Sequence, residues 1–414
     1  MLPFRAGLSV LAALIVLQAC SHGKPPVDED RLERMTATVS LLAGPSFHGR
    51  GVGTPELDKA GQYIADRFES AGLMPGGSRG WFQEWTDPDL KVRMRNVVGI
   101  LPGRNQELAG QSVVIGAHYD HLGAGGPGAY KENQGRVHPG ADDNGSGVAA
   151  LLELVHVMTL DPTPERSIIF VAFTGEEAGR KGSRYFVANM AGHPPSKCVG
   201  MINLDTVGRL GKGRLIVLGE GSAREWPQIF QEAGKAAQIG VVGNSAALDA
   251  SDQVSFHEAG VPAVQLFSGP HPDYHRPSDT AEKIDYTGLS AITTVARIAG
   301  HYLANLQGRL SATIALPASI AAAKTGDRKT TLGIVPDFTY QERGVRLGGV
   351  SPGGPAEAAG MRQGDIITQV NSRPVAGLKD IADELRSRNP GDQVRVFFLR
   401  QGKEMKADAV LKEK

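Results

Sequence analysis

Pro139-Gly140-Ala141-Asp142-Asp143-Asn144-Gly145-Ser146-Gly147 sets two adjacent carboxylates in a glycine-rich turn directly ahead of an apolar segment. In that segment Val148, Leu151, Leu152 and Val155 follow i, i+3, i+4, i+7 spacing, which predicts a buried helix with the turn fixed at its start. One Asp would suffice as an N-cap. A carboxylate held in such a turn also suits the joining of two metal ions. Four other segments carry a His, Asp or Glu in comparable settings and decide between these readings.

Around that helix, apolar runs alternate with helical patterns: Asn96 to Leu101, Ser112 to Ala117, Ser167 to Phe173, Gly200 to Leu204, Arg214 to Leu218 and Ala263 to Phe267. Ile168-Ile169-Phe170-Val171-Ala172-Phe173 is apolar without alternation, so that strand is expected to be buried on both faces. Thr54-Pro55 opens a helix with Leu57, Ala60, Ile64, Phe68 and Ala71 on one face and Gly72 as its stop. The expected fold class is α/β, a three-layer arrangement of a mixed sheet with helices on both faces. A helix near Gly288 to Leu306 closes this domain.

At the N-terminus, Arg5 precedes an apolar run from Leu8 to Val16, shorter than the ~20 residues that span a bilayer, so it reads as an export signal. Leu17-Gln18-Ala19-Cys20 resembles a bacterial lipobox, which implies a signal over residues 1–20 and a lipid on Cys20. Ser21 stands where an inner-membrane retention signal has Asp, implying an outer-membrane lipoprotein facing the periplasm or the cell exterior. Residues 21–30 are polar and read as a tether, 31–308 as the main domain, and the Ala- and Thr-rich 309–328 as a linker. Residues 329–414 form a second, smaller unit. Cys198 is the other cysteine of the two, so no disulfide framework is expected. Lys+Arg and Asp+Glu balance at 44 each, which argues against nucleic acid as a partner.

In an open α/β sheet, ligands gather beyond the carboxyl ends of the strands. The strand from Ser112 runs into His118-Tyr119-Asp120, that from Ser167 into Thr174-Gly175-Glu176-Glu177, and that from Gly200 into Asp205. His275, in His275-Arg276-Pro277-Ser278-Asp279-Thr280, adds a second imidazole. Two histidines and three carboxylates are too oxygen-rich for a structural zinc, and they fit a catalytic pair of divalent ions sharing one carboxylate. A Glu beside a ligand Glu at a strand end is the natural general base.

His118-Tyr119-Asp120, Gly140 to Gly147, Gly175-Glu176-Glu177, Asn203-Leu204-Asp205 and His275-x-x-x-Asp279-Thr280 resemble, in order and spacing, the co-catalytic zinc aminopeptidase family. That family includes the bacterial leucyl aminopeptidases, glutamate carboxypeptidase and the transferrin receptor ectodomain. The resemblance implies that Asp143 bridges two zinc ions, with His118 and Asp205 completing one site and Glu177 and His275 the other. It implies Glu176 as general base acting on a water between the ions, and Asp120 orienting His118 through its second ring nitrogen. Asp142 stays outside the ligand set. Tyr274 is either a hydrogen-bond donor to the tetrahedral intermediate or a core residue. Cobalt or manganese would also suit these N/O ligands.

The implied activity is hydrolysis of N-terminal residues from peptides. Carboxypeptidase or dipeptidase action on the same site is the alternative, and a surface binding protein that keeps the fold without the chemistry is a rival of another class. A one-zinc glutaminyl cyclase is disfavoured by the full two-metal set. Relatives commonly read Ser-Asp-His where this chain has Ser251-Asp252-Gln253, a departure that bears on pocket shape. The Gly123 to Gly135 segment is expected to form a mobile rim of the cleft. His121, His138, His257 and His271 lie near the motifs without an assigned role.

From Val350 onward, a Pro-started helix, a Gly stop, the Gly364-Asp365 turn and the strands to Leu399 resemble a bacterial PDZ domain, a small β-rich α+β fold. That resemblance implies a peptide or protein ligand added as a strand to a sheet edge, with the carboxylate loop near Arg343-Gly344-Val345.

Overall fold

The computed structural model describes residues 28–126, 128–190, 192–245, 251–314, 329–340 and 342–413. The expected export signal with Cys20, residues 21–27 of the tether and residues 315–328 of the linker lie outside the described residues.

In the first domain, β1 (Met74–Pro75), β2 (Phe82–Thr86), β3 (Arg93–Leu101), β4 (Ser112–His118), β5 (Ser167–Phe173), β6 (Cys198–Leu204), β7 (Leu215–Leu218), β8 (Val241–Asn244) and β9 (Ala263–Phe267) form one sheet. Their order is β1-β3-β5-β4-β6-β9-β7-β8, with β2 paired to β3. The central strands β5, β4, β6 and β9 run parallel, so their carboxyl ends share one edge. The flanking β3 and β7 join this centre antiparallel.

The helices are α1 (Glu29–Leu42), α2 (Pro55–Ser70), α3 (Gly147–Leu160), α4 (Lys181–Ala188), α5 (Trp226–Ala236), α6 (Gln253–Glu258) and α7 (Tyr286–Asn305). Val113, Ile115 and Ala117 of β4 and Ile168, Phe170 and Ala172 of β5 share a core with apolar residues of α1, α2, α3, α5 and α7. The alternate residues Val114, Ile169, Val171 and Phe173 face a second core with Phe186 and Val187 of α4 and Phe256 of α6. Two cores explain the unbroken apolar run of β5, and each fully buried Leu, Ile or Phe contributes roughly 1.5–3 kcal/mol.

Two boundaries differ from the sequence reading. Residues 28–30 belong to α1 and its cap rather than to a tether: Asp28 accepts from the Arg31 amide at 3.0 Å, and Glu29 and Asp30 fill the first turn. Their charges suit a helix N-terminus as well as a solvated leader, and what decides is Met35, Val39 and Leu42 buried further along. The linker also begins later than residue 309. Arg309 donates to the carbonyls of Ser196 and Cys198, and Ala312 bridges Ala223, so 309–313 pack on the first domain.

Asp161, at the end of α3, receives Arg297 Nε at 2.8 Å and His301 Nε2 at 2.5 Å from α7. Burial works against its carboxylate, but His301 and Arg297 hold the pKa down to about 2. A depressed carboxyl stabilises the fold above its unfolded pKa, and that contribution fades as pH falls through the folded value. Asp161→Asn is therefore expected to cost about 1–2 kcal/mol at pH 7, after allowance for solvent screening. In urea denaturation the gap from wild type narrows between pH 4 and pH 2; a gap that stays constant down to pH 3 contradicts this.

The second domain comprises β10 (Thr330–Thr331), β11 (Ile334–Pro336), β12 (Val345–Val350), β13 (Ile366–Val370), β14 (Arg373–Pro374), β15 (Gln393–Arg400), β16 (Lys403–Val410) and β17 (Lys412–Glu413), with α8 (Pro355–Ala358) and α9 (Leu378–Arg386). Its main sheet runs β11-β12-β13-β15-β16 and buries Val345, Leu347, Ile367, Val370, Val394 and Val396 with Ile381 and Leu385 of α9. The segment Arg343-Gly344-Val345 leads into β12, which is paired on both sides. Among the described residues the sheet ends on β11 and β16, whereas the segment expected to hold the carboxylate loop leads into an interior strand. The domains meet where Phe338 packs edge-on against Phe267, centroids 5.5 Å apart, and Asn244 Nδ2 donates to the Phe338 carbonyl at 2.9 Å.

Candidate metal centre

The carboxyl ends of β4, β5 and β6 deliver His118, Glu176-Glu177 and Asp205 to one edge of the sheet. The loop after β9 brings His275 to the same place. Opposite them lies the turn 140–146. Gly140 takes φ 60° and ψ 54°, a left-handed conformation suited to glycine, and a Cβ there would come within 2.3 Å of the Asp143 carbonyl. Asn144 ties this turn to the end of β6 by donating to the Leu204 carbonyl at 2.9 Å, and its Oδ1 accepts from Gly147 and Thr206.

Asp143 faces two ways. His118 Nε2 lies 3.3 Å from its Oδ1 and 3.5 Å from Asp205 Oδ1. His275 Nε2 lies 3.2 Å from its Oδ2 and 3.3 Å from Glu177 Oε2. These five side chains are the ones singled out from sequence as ligands, and they form two lobes about a single carboxylate. Burial disfavours charge throughout, yet the histidines His121, His118 and His275 hold the Asp143 carboxyl well below its usual range. Conversely, Asp205 and Asp143 raise His118 well above an ordinary imidazole, and Glu177 and Asp143 bring His275 to about 9, in each case against burial.

The donor set fits divalent cations. Asp143 Oδ2 is buried and accepts no well-aligned hydrogen bond, although His275 Nε2 lies 3.2 Å away, and such an oxygen calls for a cation or water. Two atoms bound to one tetrahedral zinc at ~2.0–2.1 Å stand about 3.3 Å apart. Four separations of 3.2 to 3.5 Å match that spacing.

The residues flanking the lobes also have defined partners. The Asp120 carboxylate does not hydrogen-bond His118, whose Nδ1 is 3.8 Å from its Oδ1. It accepts instead from the Glu176 and Glu177 amides at 3.1 and 3.3 Å, while the Asp120 backbone carbonyl takes His118 Nδ1 at 3.2 Å. The expected orientation of His118 thus runs through a main-chain atom, and the carboxylate sets the Glu pair. Tyr274 is 45% exposed and stacked on His275, which excludes the core reading and puts it at the rim. His275 itself holds φ 56° and places Nδ1 3.3 Å from the Gly128 carbonyl, so the glycine-rich segment contacts a candidate ligand. Thr206, with φ 56°, donates to Asp205 Oδ1 at 2.9 Å. Positive φ at a Thr is costly and persists where the surroundings enforce it.

Two contributors, Arg50 and Asp279, carry no role in the sequence reading. Arg50 is fully buried and donates to the carbonyls of Tyr119, Leu42, Pro139 and Gly140 at 2.5 to 2.9 Å. Asp279 Oδ2 accepts from the amides of Asp142 and Asp143 at 2.8 and 3.1 Å, and its Oδ1 takes Arg209 at 3.0 Å. Asp142 is outside both lobes, accepting from Gly208 N at 2.6 Å with His271 Nε2 3.1 Å from its other oxygen. Asp279 stands inside a quoted motif; nothing in local spacing marks Arg50.

Residues 96–299 match the model of peptidase family M28, and residues 347–400 match that of the PDZ domain. Leucine aminopeptidase 1 of Trichophyton equinum is 30% identical over 286 residues, covering 62% of this chain and 72% of that protein. The chain belongs to peptidase family M28. Its M28 domain carries a C-terminal PDZ domain. Among solved structures, a zinc aminopeptidase from Bacillus subtilis superposes with a TM-score of 0.54 at 17% identity, over 66% of this chain and 95% of that one. A glutaminyl cyclase from Porphyromonas gingivalis superposes equally, TM-score 0.54 at 20% identity over 65% and 96% of the chains, so the M28 fold alone does not separate these activities.

Proposed function

We propose that this M28 chain is a two-zinc exopeptidase that removes residues from the free N-terminus of peptides. The observation that carries this reading is the division of Asp143, with one oxygen toward His118 and Asp205 and the other toward His275 and Glu177. His118, Asp143 and Asp205 would hold one ion and Asp143, Glu177 and His275 the other, with cobalt or manganese able to replace zinc. Bound ions supply an acidified water and polarisation of the scissile carbonyl. Glu176 takes the proton of the attacking water and returns it to the leaving amine. Burial raises its carboxyl well above the usual range, opposed by His118 and reinforced by Asp252, Glu177 and Asp205, which suits a group that must hold that proton. Asp120 fixes where Glu176 sits.

The experiment uses the soluble form lacking residues 1–20 and three matched peptides: one free at both ends, one N-acetylated, one C-amidated. Mass spectrometry is expected to show stepwise loss of N-terminal residues from the free and amidated peptides alone. Cleavage that needs a free C-terminus instead points to a carboxypeptidase, and three intact peptides with metal bound refute the exopeptidase.

The lipobox at Cys20 supports a lipid-anchored protein exposed to the periplasm or the cell exterior. The PDZ domain would take a peptide or protein ligand along an open sheet edge. Its deletion is then expected to alter substrate preference more than turnover of small peptides.

A further inference from the structure

We propose that His121 is a positioning residue, whose Nδ1–H donates to Oε1 of Glu177 and so leaves Oε2 as the metal-facing oxygen of that carboxylate. The inference rests on the two-metal reading above. A nitrogen of His121 lies with carboxylate oxygens of Asp143 and Glu177 in a cluster within 4.8 Å, which would equally suit a direct ligand. The separations distinguish the two roles. His121 Nδ1 is 2.8 Å from Glu177 Oε1 and 3.8 Å from Asp143 Oδ2, whereas His275 Nε2 is 3.3 Å from Glu177 Oε2 and 3.2 Å from Asp143 Oδ2. Two ligands of one tetrahedral zinc stand about 3.3 Å apart, while a charge-assisted N–H···O bond spans roughly 2.7–2.9 Å. His275 has the ligand spacing to both oxygens; His121 has the hydrogen-bond spacing to one.

The ring is held in that role. Its side chain is fully buried, and Gly140 leaves space for it, since a Cβ there would stand 2.5 Å from His121 Cδ2. The His121 amide donates to the Arg50 carbonyl at 3.1 Å, tying the residue to the segment that braces the metal turn. His121 Nε2 is buried without a partner, so Nδ1 is the ring nitrogen engaged with Glu177. Glu177 is then oriented from both sides, by His121 through Oε1 and by Asp120 through its amide.

The test is the affinity of each Zn²⁺ site, measured by competition with a chelator, in wild type, His121→Ala and His121→Asn of the soluble full chain, with folding checked by circular dichroism. Asn can place its Nδ2 near the position of His Nδ1. His121→Ala is expected to weaken one of the two ions about 10–100-fold and spare the other, with His121→Asn recovering most of the loss. Cobalt-loaded protein should show the same pattern in its visible absorption. Unchanged affinity in His121→Ala overturns the positioning role. Loss of the ion in both variants makes His121 a ligand and overturns it too. Wild type that takes up a single ion would instead refute the two-metal reading beneath it.

Discussion

Glu176→Gln is expected to lower peptide turnover by about three orders of magnitude while the protein still takes up two zinc ions, since a positioned general base contributes roughly 10²–10⁴-fold. Gln keeps the size of the side chain, and the main-chain amide of residue 176 still donates to Asp120 Oδ1 as in wild type. Glu176 is also absent from both lobes of the ligand set. What the substitution removes is the ability to accept and hold a proton. Measured kcat on a short peptide with metal content determined in parallel separates the outcomes. A variant that loses zinc along with activity would make Glu176 a ligand, and one that keeps most of its rate would place the base elsewhere.

Arg50→Met is expected to destabilise the fold by about 3–5 kcal/mol and to weaken metal uptake, because buried carbonyls lose their donors. Burial pulls the guanidinium down to about 10, opposed by Asp143, Asp120, Asp279 and Glu177, so it is cationic at neutral pH and offsets part of the acidic centre. Its Nε and two terminal nitrogens reach the carbonyls on either side of the site, Tyr119 after β4 and Pro139 and Gly140 at the turn. A lysine offers a point charge without that fork, so Arg50→Lys should recover only part of the loss. Urea unfolding of the metal-free protein gives the stability; zinc competition gives the site. Stability within about 1 kcal/mol of wild type would contradict the bracing role.

The sheet was largely legible because its central strands are apolar on both faces, as in Ile168 to Phe173, and end where polar residues break the apolar run. Pairs at sheet margins were not: β2 is partly exposed and β8 is short, so neither carries a clear apolar pattern. Four of the five candidate ligands were legible because each follows a strand end or sits in a glycine turn, whereas His275, in the loop after β9, stood out only within its motif. Their supports were hidden because they act through main-chain atoms. Arg50 contacts four carbonyls distant in sequence, and Asp120 reaches amides 56 and 57 residues away. No local periodicity encodes such contacts. His121 shows a further limit, since its nearness to the motif was visible and its role depends on a difference of a few tenths of an ångström.

The most direct test of the bridging role of Asp143 is an anomalous difference map at the zinc edge from crystals of the soluble form grown with zinc. Two peaks are predicted, one among His118, Asp205 and Asp143 Oδ1, the other among His275, Glu177 and Asp143 Oδ2. A single peak, or two that do not share Asp143, would contradict the account.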